Sequence, residues 1–340
     1  EAALKYFVLG SVAAAFLLFG FALIYGATGT MNLTEITGYT KDLATKVGWA
    51  PGLYFKVGIG LSIVGFAFKM ALVPFHIWAP DVYQGAPTPV TAYMSIGTKA
   101  AAFAAMARLL VAAVPEAQQI GFLLPLSVLA AVSMIVGAAV GIWQSDLKRL
   151  MAYSGIANAG YLIMAIPGLG EDGLSAAAYY LAAYGFTAMG IFAIVRVLEE
   201  EGVEGAKLEN LSGLFYRRPG LAVALALFLF SLTGLPPAGG FIGKFFLAMA
   251  AVNGGAWIVL TGLMLSTGIS AYVYLRVIGI AFKKVEGKGE KAAMAGAQSV
   301  YSPAVTSAKV VLAIAVVGTL LLGLLPGPVA DLMRVAIAGM

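Results

Sequence analysis

Three lysines stand inside apolar sequence: Lys69 in "GFAFKMALVP", Lys99 in "SIGTKAAAF" and Lys244 in "GGFIGKFFLA". The chain's one histidine, His76, follows shortly after the first. An ammonium at the centre of a bilayer costs at least ~3 kcal/mol, and residues that bear such a cost usually face water, a partner or a transport path. Snorkelling toward a helix end is the plain alternative. It suits Lys56, Arg108 and Arg276, but not Lys99. Lys99 lies about ten residues, or roughly 15 Å, from either end of its apolar run at ~1.5 Å of rise per residue. Taking an ammonium out of water disfavours its charged form. A lysine so placed can trade a proton with the polar groups that reach it, whereas a carboxylate beside it would hold the proton. None of the 16 acidic residues falls in the middle of an apolar run, so any such partner comes from elsewhere.

Two of the apolar runs are broken, each beside a lysine. Pro74 follows Lys69, and Pro80, Pro87 and Pro89 come after it. In "FSLTGLPPAGGFIGKFF", Pro236 and Pro237 remove two backbone donors and Gly239 and Gly240 loosen the chain ahead of Lys244. A helix broken at membrane depth is tolerated only where it is buried in protein or lines a wet cavity. A simple proline kink is the alternative. His76, just past Pro74, fits two readings: a group near its titration midpoint that passes a proton, or a structural imidazole holding carbonyls freed at the break. "MAYSGIANAGY" adds Tyr153, Ser154, Asn158 and Tyr161, which can order water or bond between helices. "GGFIGKFF" is not a phosphate-binding loop, since Phe245 follows the lysine and the glycine spacing is wrong.

The elements that carry these residues are membrane spans. Of 340 residues, 61% are hydrophobic and 11% charged, against about 25% charged in soluble domains, and the mean hydropathy is +0.93. Too few polar residues remain to cover a soluble globule of this size. The apolar pattern predicts an all-α polytopic integral membrane helix bundle of about nine spans, at roughly 4–26, 53–76, 88–113, 121–143, 149–167, 174–197, 219–250, 256–281 and 305–326. No alternation of the β-barrel kind recurs. With no cysteine, disulfides, thiolate-held clusters and cysteine nucleophiles are excluded. The net charge of +5 is read as loop charge rather than a nucleic-acid surface. Lys148, Arg149, Lys207, Arg217, Arg218, Lys283, Lys284, Lys288 and Lys291 fall on one side of the bundle. Lys41 and Lys46 fall on the other, so the first side is expected to be cytoplasmic and the C-terminus outside. The two broken spans run in opposite directions, the pattern of an inverted-repeat transporter.

Four stretches carry a family resemblance: "FKMALVPFHIWAPDVYQGAPTPV", "TKAAAFAAMARLL", "DLKRLMAYSGIANAGY" and "SLTGLPPAGGFIGKF". In that order they resemble the antiporter-like membrane subunits of respiratory complex I, nearest the subunit N branch, which includes the mitochondrial ND-two relatives. "EAALKYFVLG" and "DVYQGAPTPV" favour that branch too. The resemblance implies about fourteen spans in two inverted repeats, with this chain opening at the sixth. It divides the chain into 1–115 (the rest of the first repeat, broken helix 53–85), 116–283 (the second repeat, broken helix 219–250) and 284–340 (a loop and C-terminal transmembrane helix). The family's essential glutamate lies on the fifth span, ahead of Glu1. Lys69, Lys99 and Lys244 match the family's proton-path lysines. Lys5, His76 and Tyr153 match further positions of its hydrated axis, and Lys148, at the start of the "DLKR" helix, is counted with them. The family usually reads "SSIAHAGY" where this chain has "SGIANAGY". Asparagine orders water but does not titrate, so the relay role of that histidine is not carried over to Asn158.

The expectation is a proton-translocating membrane-arm subunit of NADH:quinone oxidoreductase in a bacterial inner membrane. It would hold no cofactor of its own; NADH, FMN, iron–sulfur clusters and quinone would sit on partner subunits. Its neighbours would be subunit M, the small subunits next to N, and lipid. The alternative is a subunit of an Mrp-type cation/proton antiporter, driven by ion gradients with no redox partner. A third reading makes the lysines assembly elements of a passive subunit.

Overall fold

The computed structural model describes residues 1–47, 52–114, 120–166, 171–200, 206–284 and 303–338. Among them the regular structure is helical, with one isolated backbone bridge between Asp146 and Lys207. The helices are α1 (Ala2–Thr28), α2 (Leu33–Val47), α3 (Leu53–Met70), α4 (Trp78–Gly85), α5 (Thr88–Ala113), α6 (Ile120–Gly141) and α7 (Leu147–Ile163). There follow α8 (Glu171–Glu200), the single turn α9 (Leu214–Arg217), α10 (Pro219–Thr233), α11 (Gly239–Asn253), α12 (Trp257–Phe282), α13 (Pro303–Leu324) and α14 (Pro326–Ala338). Seven of them are long and apolar enough to cross a membrane: α1, α3, α5, α6, α8, α12 and α13. The shorter α10 and α11 are the two halves of the second broken span, and α7 completes the expected set. Most of the expected connection 283–304 lies outside the described residues.

Helices α2 and α14 correspond to no expected element. Both follow a span directly and mix charged with apolar residues, as helices at a membrane surface do. Thr40 ties α2 down by donating to the Ala112 carbonyl at the end of α5, 3.2 Å away. Outward on α1, Phe7, Leu18 and Phe19 are more than half exposed, an apolar face suited to lipid or another apolar surface.

Helix α7 is the axle of the bundle. Arg149 and Tyr153 are its only residues that are not buried, and it touches α4, α5, α6, α8, α11 and α12. Small residues permit this. A Cβ on Gly137 of α6 would lie 2.6 Å from the Ala157 nitrogen, and one on Gly160 would lie 2.7 Å from the Ala130 carbonyl oxygen. The two helices therefore pack backbone on backbone.

The two breaks share one backbone design. Helix α3 ends with Ala71 in the left-handed region (φ 60°), and the Leu72 N–H returns 2.9 Å to the Ala67 carbonyl. Helix α10 ends with Gly234 at φ 87°, and the Leu235 N–H returns 3.0 Å to the Phe230 carbonyl. Both are Schellman caps, which satisfy carbonyls left over at a helix end. Each cap is followed by a cis X–Pro bond, Val73–Pro74 and Pro236–Pro237. Neighbouring helices satisfy what remains. The Val73 N–H donates to the Ser133 hydroxyl of α6 at 2.9 Å, and the Trp78 indole donates to the Phe68 carbonyl at 3.0 Å. At the second break the Gly240 N–H donates to the Ser231 hydroxyl at 3.2 Å. Trp78→Phe keeps the buried ring and deletes one donor. It should destabilise the protein by only about 1 kcal/mol, the worth of one hydrogen bond, because the Phe68 carbonyl keeps the Ala71 N–H at 3.0 Å; the change is read as a lower midpoint of thermal unfolding in detergent.

Candidate functional site

Lys99 and Lys244 are buried, while Lys69 is half-buried. Lys99, on α5, donates from Nζ to the Gly155 carbonyl of α7 at 2.6 Å. Lys244, on α11, reaches back across the second break and donates to the Leu232 and Thr233 carbonyls at 2.8 and 3.1 Å. It therefore does at the second break what Trp78 does at the first. Lys69 stands 5.5 Å from the centre of the Tyr6 ring of α1, within cation–π range. Among the described residues no carboxylate pairs with any of the three.

Aromatic residues separate the lysines, and the two partitions differ. Between Lys69 and Lys99 run Tyr6, Trp78 and Tyr83, with ring centres 5.0 and 6.5 Å apart; Lys99 lies 6.0 Å from the Tyr83 ring. Within this row the Trp78 N–H goes to main chain, and the Tyr83 hydroxyl makes a long 3.4 Å bond to the Met94 carbonyl. Between Lys99 and Lys244 the partition is rich in hydroxyls. Tyr184 and Tyr180 of α8 stack at 6.5 Å, and the Tyr180 hydroxyl donates to the Asn158 side-chain oxygen. The Asn158 amide donates to the Ser154 carbonyl at 2.7 Å and hydroxyl at 3.1 Å, and the Ser154 hydroxyl meets the Tyr274 hydroxyl at 2.7 Å. Tyr161 packs edge-on against Tyr180 and bonds Ser266 at 3.0 Å. Lys244 Nζ lies 4.6 Å from the centre of the Tyr161 ring.

The other expected residues lie apart from this line. Lys5 pairs with Asp81 of α4, which also accepts from Arg149 at 2.6 Å; Arg149 donates to Gln84 at 3.2 Å as well. Lys148 donates to the Ala86 carbonyl at 2.8 Å and stands 3.9 Å from Glu199. Glu199 in turn accepts from Thr88 at 2.7 Å. The starts of α1 and α7 and the ends of α4 and α8 are thus joined at one end of the bundle, the lysine- and arginine-rich end. His76 is half-buried in the first break, and its Nδ1 is buried without a hydrogen-bond partner among the described residues. Tyr153 is half-buried and packs against the core. Arg276 does not snorkel freely: it donates to the Ile142 and Gln144 carbonyls, the latter at 2.7 Å.

Tyr180, Tyr184, Tyr274, Ser266, Asp81 and Glu199 were not anticipated as site residues. The spacing of "YYLAAY" held one signal, since Tyr180 and Tyr184 are i, i+4 neighbours on one helix face. Asn158→Ala should cost about 1–3 kcal/mol by stranding the buried Tyr180 hydroxyl, and adding Tyr180→Phe should recover part of it. A double-mutant cycle of unfolding midpoints reads this as non-additivity.

A broken-helix bundle with buried cations and an internal hydroxyl line defines an ion-translocating membrane protein of the antiporter-like class. The family described as NADH:quinone oxidoreductase/Mrp antiporter, transmembrane, matches residues 1–270, and the chain belongs to it. It is 71% identical over its whole length to the NADH-quinone oxidoreductase subunit N 1 of Symbiobacterium thermophilum, of which it covers 69%. A chain of the respiratory complex I from Thermus thermophilus with bound aureothin superposes with a TM-score of 0.70 at 38% identity, covering 95% of this chain and 68% of that one. A chain of the Mrp complex from Dietzia superposes with a TM-score of 0.83 at 23% identity, covering 99% and 67%, and shares the fold. The chain thus spans about two thirds of the length of these proteins.

Proposed function

We propose that this chain works as a proton-translocating membrane-arm subunit of a complex I of the NADH:quinone oxidoreductase kind, as its subunit N relatives are named. One observation carries the reading. Two buried lysines bond only to main-chain carbonyls among the described residues, with a line of tyrosine, asparagine and serine side chains between them. An ammonium held by neutral acceptors can lose its proton without leaving a carboxylate unpaired. Lys69 would receive the proton, Lys99 connect the two halves, and Lys244 pass it on. Lys5, Lys148, His76 and Tyr153 would serve the approaches. The shared design of the breaks supports two inverted repeats, 1–115 and 116–283, with 284–340 as loop and C-terminal span.

Electron transfer would take place on other subunits, which would carry NADH, FMN, iron–sulfur clusters and quinone. The nearest partners would be subunit M and the small subunits beside N. The clustered basic end would face the cytoplasm of a bacterial inner membrane, with the C-terminus outside. An Mrp-type antiporter role draws on the shared fold, while the 71% identity to a subunit N favours the redox-driven machine.

The test is proton pumping per electron in membrane vesicles, normalised to assembled complex. Lys99→Ala should lower pumping-coupled turnover by at least ~10²-fold, the low end of what a positioned proton donor contributes, and Lys69→Ala should lower it in the same sense. Normal stoichiometry and turnover in both variants would refute the path. Lost assembly with normal pumping in what remains would make the lysines structural. Pumping that follows sodium gradients without quinone reduction would favour the antiporter reading.

A further inference from the structure

Most buried glycines at the centre of the bundle have a packing reason. A side chain on Gly137 or Gly160 would strike the backbone of the facing helix, at 2.6 and 2.7 Å. Gly155, on the same helix α7, is different. The three atoms nearest to a Cβ built there are Lys99 Nζ at 2.5 Å, the Tyr184 hydroxyl at 3.2 Å and Lys99 Cε at 3.8 Å. None is backbone. An interior glycine costs a helix roughly 1 kcal/mol relative to alanine, and here no close approach of helices offsets that cost.

We infer that Gly155 is a positioning residue for Lys99: its missing side chain opens a notch on α7 in which the Lys99 ammonium reaches the Gly155 carbonyl, with the Tyr184 hydroxyl lining the same notch. Two further observations support the notch. The Tyr184 hydroxyl is buried and has no hydrogen-bond partner among the described residues, although buried polar groups are nearly always partnered. The Tyr184 ring also stacks on Tyr180, whose hydroxyl opens the line through Asn158 and Ser154 to Tyr274. Lys99 is thereby seated at the near end of that line. With a methyl group in the notch, the flexible end of Lys99 must withdraw, while the backbones of α5, α7 and α8 need not move. At the second break the left-handed backbone of Gly234 (φ 87°) already calls for glycine, and Lys244 lies close by as well. There a Cβ on Gly234 would lie 3.0 Å from Lys244 Cδ.

This inference rests on the transport reading above, and the test separates the two. The complete complex is purified carrying Gly155→Ala, Gly160→Ala, Tyr184→Phe or Lys99→Ala. Assembly yield, quinone-coupled turnover in proteoliposomes and its pH profile are measured for each. Gly155→Ala is expected to assemble at the wild-type level, lose at least tenfold in coupled turnover and change its pH profile. Tyr184→Phe, which keeps the stacked ring, is expected to shift the profile in the same sense. Gly160→Ala is expected to lose assembly, while the complex that does form keeps the wild-type profile. If Lys99→Ala is inactive but Gly155→Ala has normal turnover and profile, the positioning role is overturned and the transport reading stands. Loss of assembly in Gly155→Ala makes it a packing glycine and likewise overturns the role. If Lys99→Ala itself pumps normally, the transport reading fails and the positioning role falls with it.

Discussion

A helix that stops inside hydrocarbon must find partners for the backbone groups it frees, because water is not there to take them and each orphan costs several kcal/mol. This chain meets that requirement twice with the same main-chain device: a left-handed cap and a returning N–H, followed by a proline that prevents the helix from continuing. The side chains that finish the task differ. At the first break an indole caps the Phe68 carbonyl; at the second an ammonium caps Leu232 and Thr233. Lys244 is therefore both the chemical group and a structural tie, whereas Lys69 is left free of backbone duties and rests against Tyr6.

The two partitions between the lysines follow from this. Because Trp78 closes the first break, the space between Lys69 and Lys99 fills with aromatic surface that offers few hydrogen bonds. Because Lys244 closes the second, an ammonium lies against Tyr161, and the neighbouring faces of α7, α8 and α12 supply hydroxyls and an amide that satisfy one another. The second partition is thus hydrogen-bonded from Tyr180 through Asn158 and Ser154 to Tyr274, while the first is mostly ring against ring.

Much of this was legible in the sequence, and the exceptions have physical causes. Runs of apolar residues reveal spans because lipid demands about 20 of them. The breaks announce themselves through Pro74, Pro236 and Pro237 and the glycines that follow, and the lysines stand out because little else polar surrounds them. Helices α2 and α14 escaped because a helix lying at a surface needs only one apolar face, so its composition resembles a loop. Tyr180, Tyr184 and Tyr274 escaped because tyrosine is common in apolar runs; only the packing of α8 and α12 against α7 shows that their hydroxyls converge. Gly155 was invisible for the same reason, since its meaning lies in what α5 and α8 point at it. Lys5 and Lys148 were named as further positions of the path. Their partners, Asp81 and Glu199, are remote in sequence, so the sequence did not show that the two lie together at one end of the bundle.

That end shows how differently the two broken helices are held. Lys148 and Arg149 are consecutive, so they project about 100° apart around α7, as ~3.6 residues per turn requires. One reaches the Ala86 carbonyl and Glu199, the other Asp81 and Gln84. Helix α4 is thereby held in its first turn, at Asp81, by ion pairs whose side chains are about 30% exposed, and at its far end by the buried Lys148 on the Ala86 carbonyl. Pairs open to water are weak and are screened by salt. Helix α11 is held by buried contacts instead: Lys244 on main-chain carbonyls, and Gly240 against the Ser231 hydroxyl. Of the two otherwise similar broken helices, the one beside Lys69 is held in part by partly exposed charge, and the one carrying Lys244 by buried main-chain contacts.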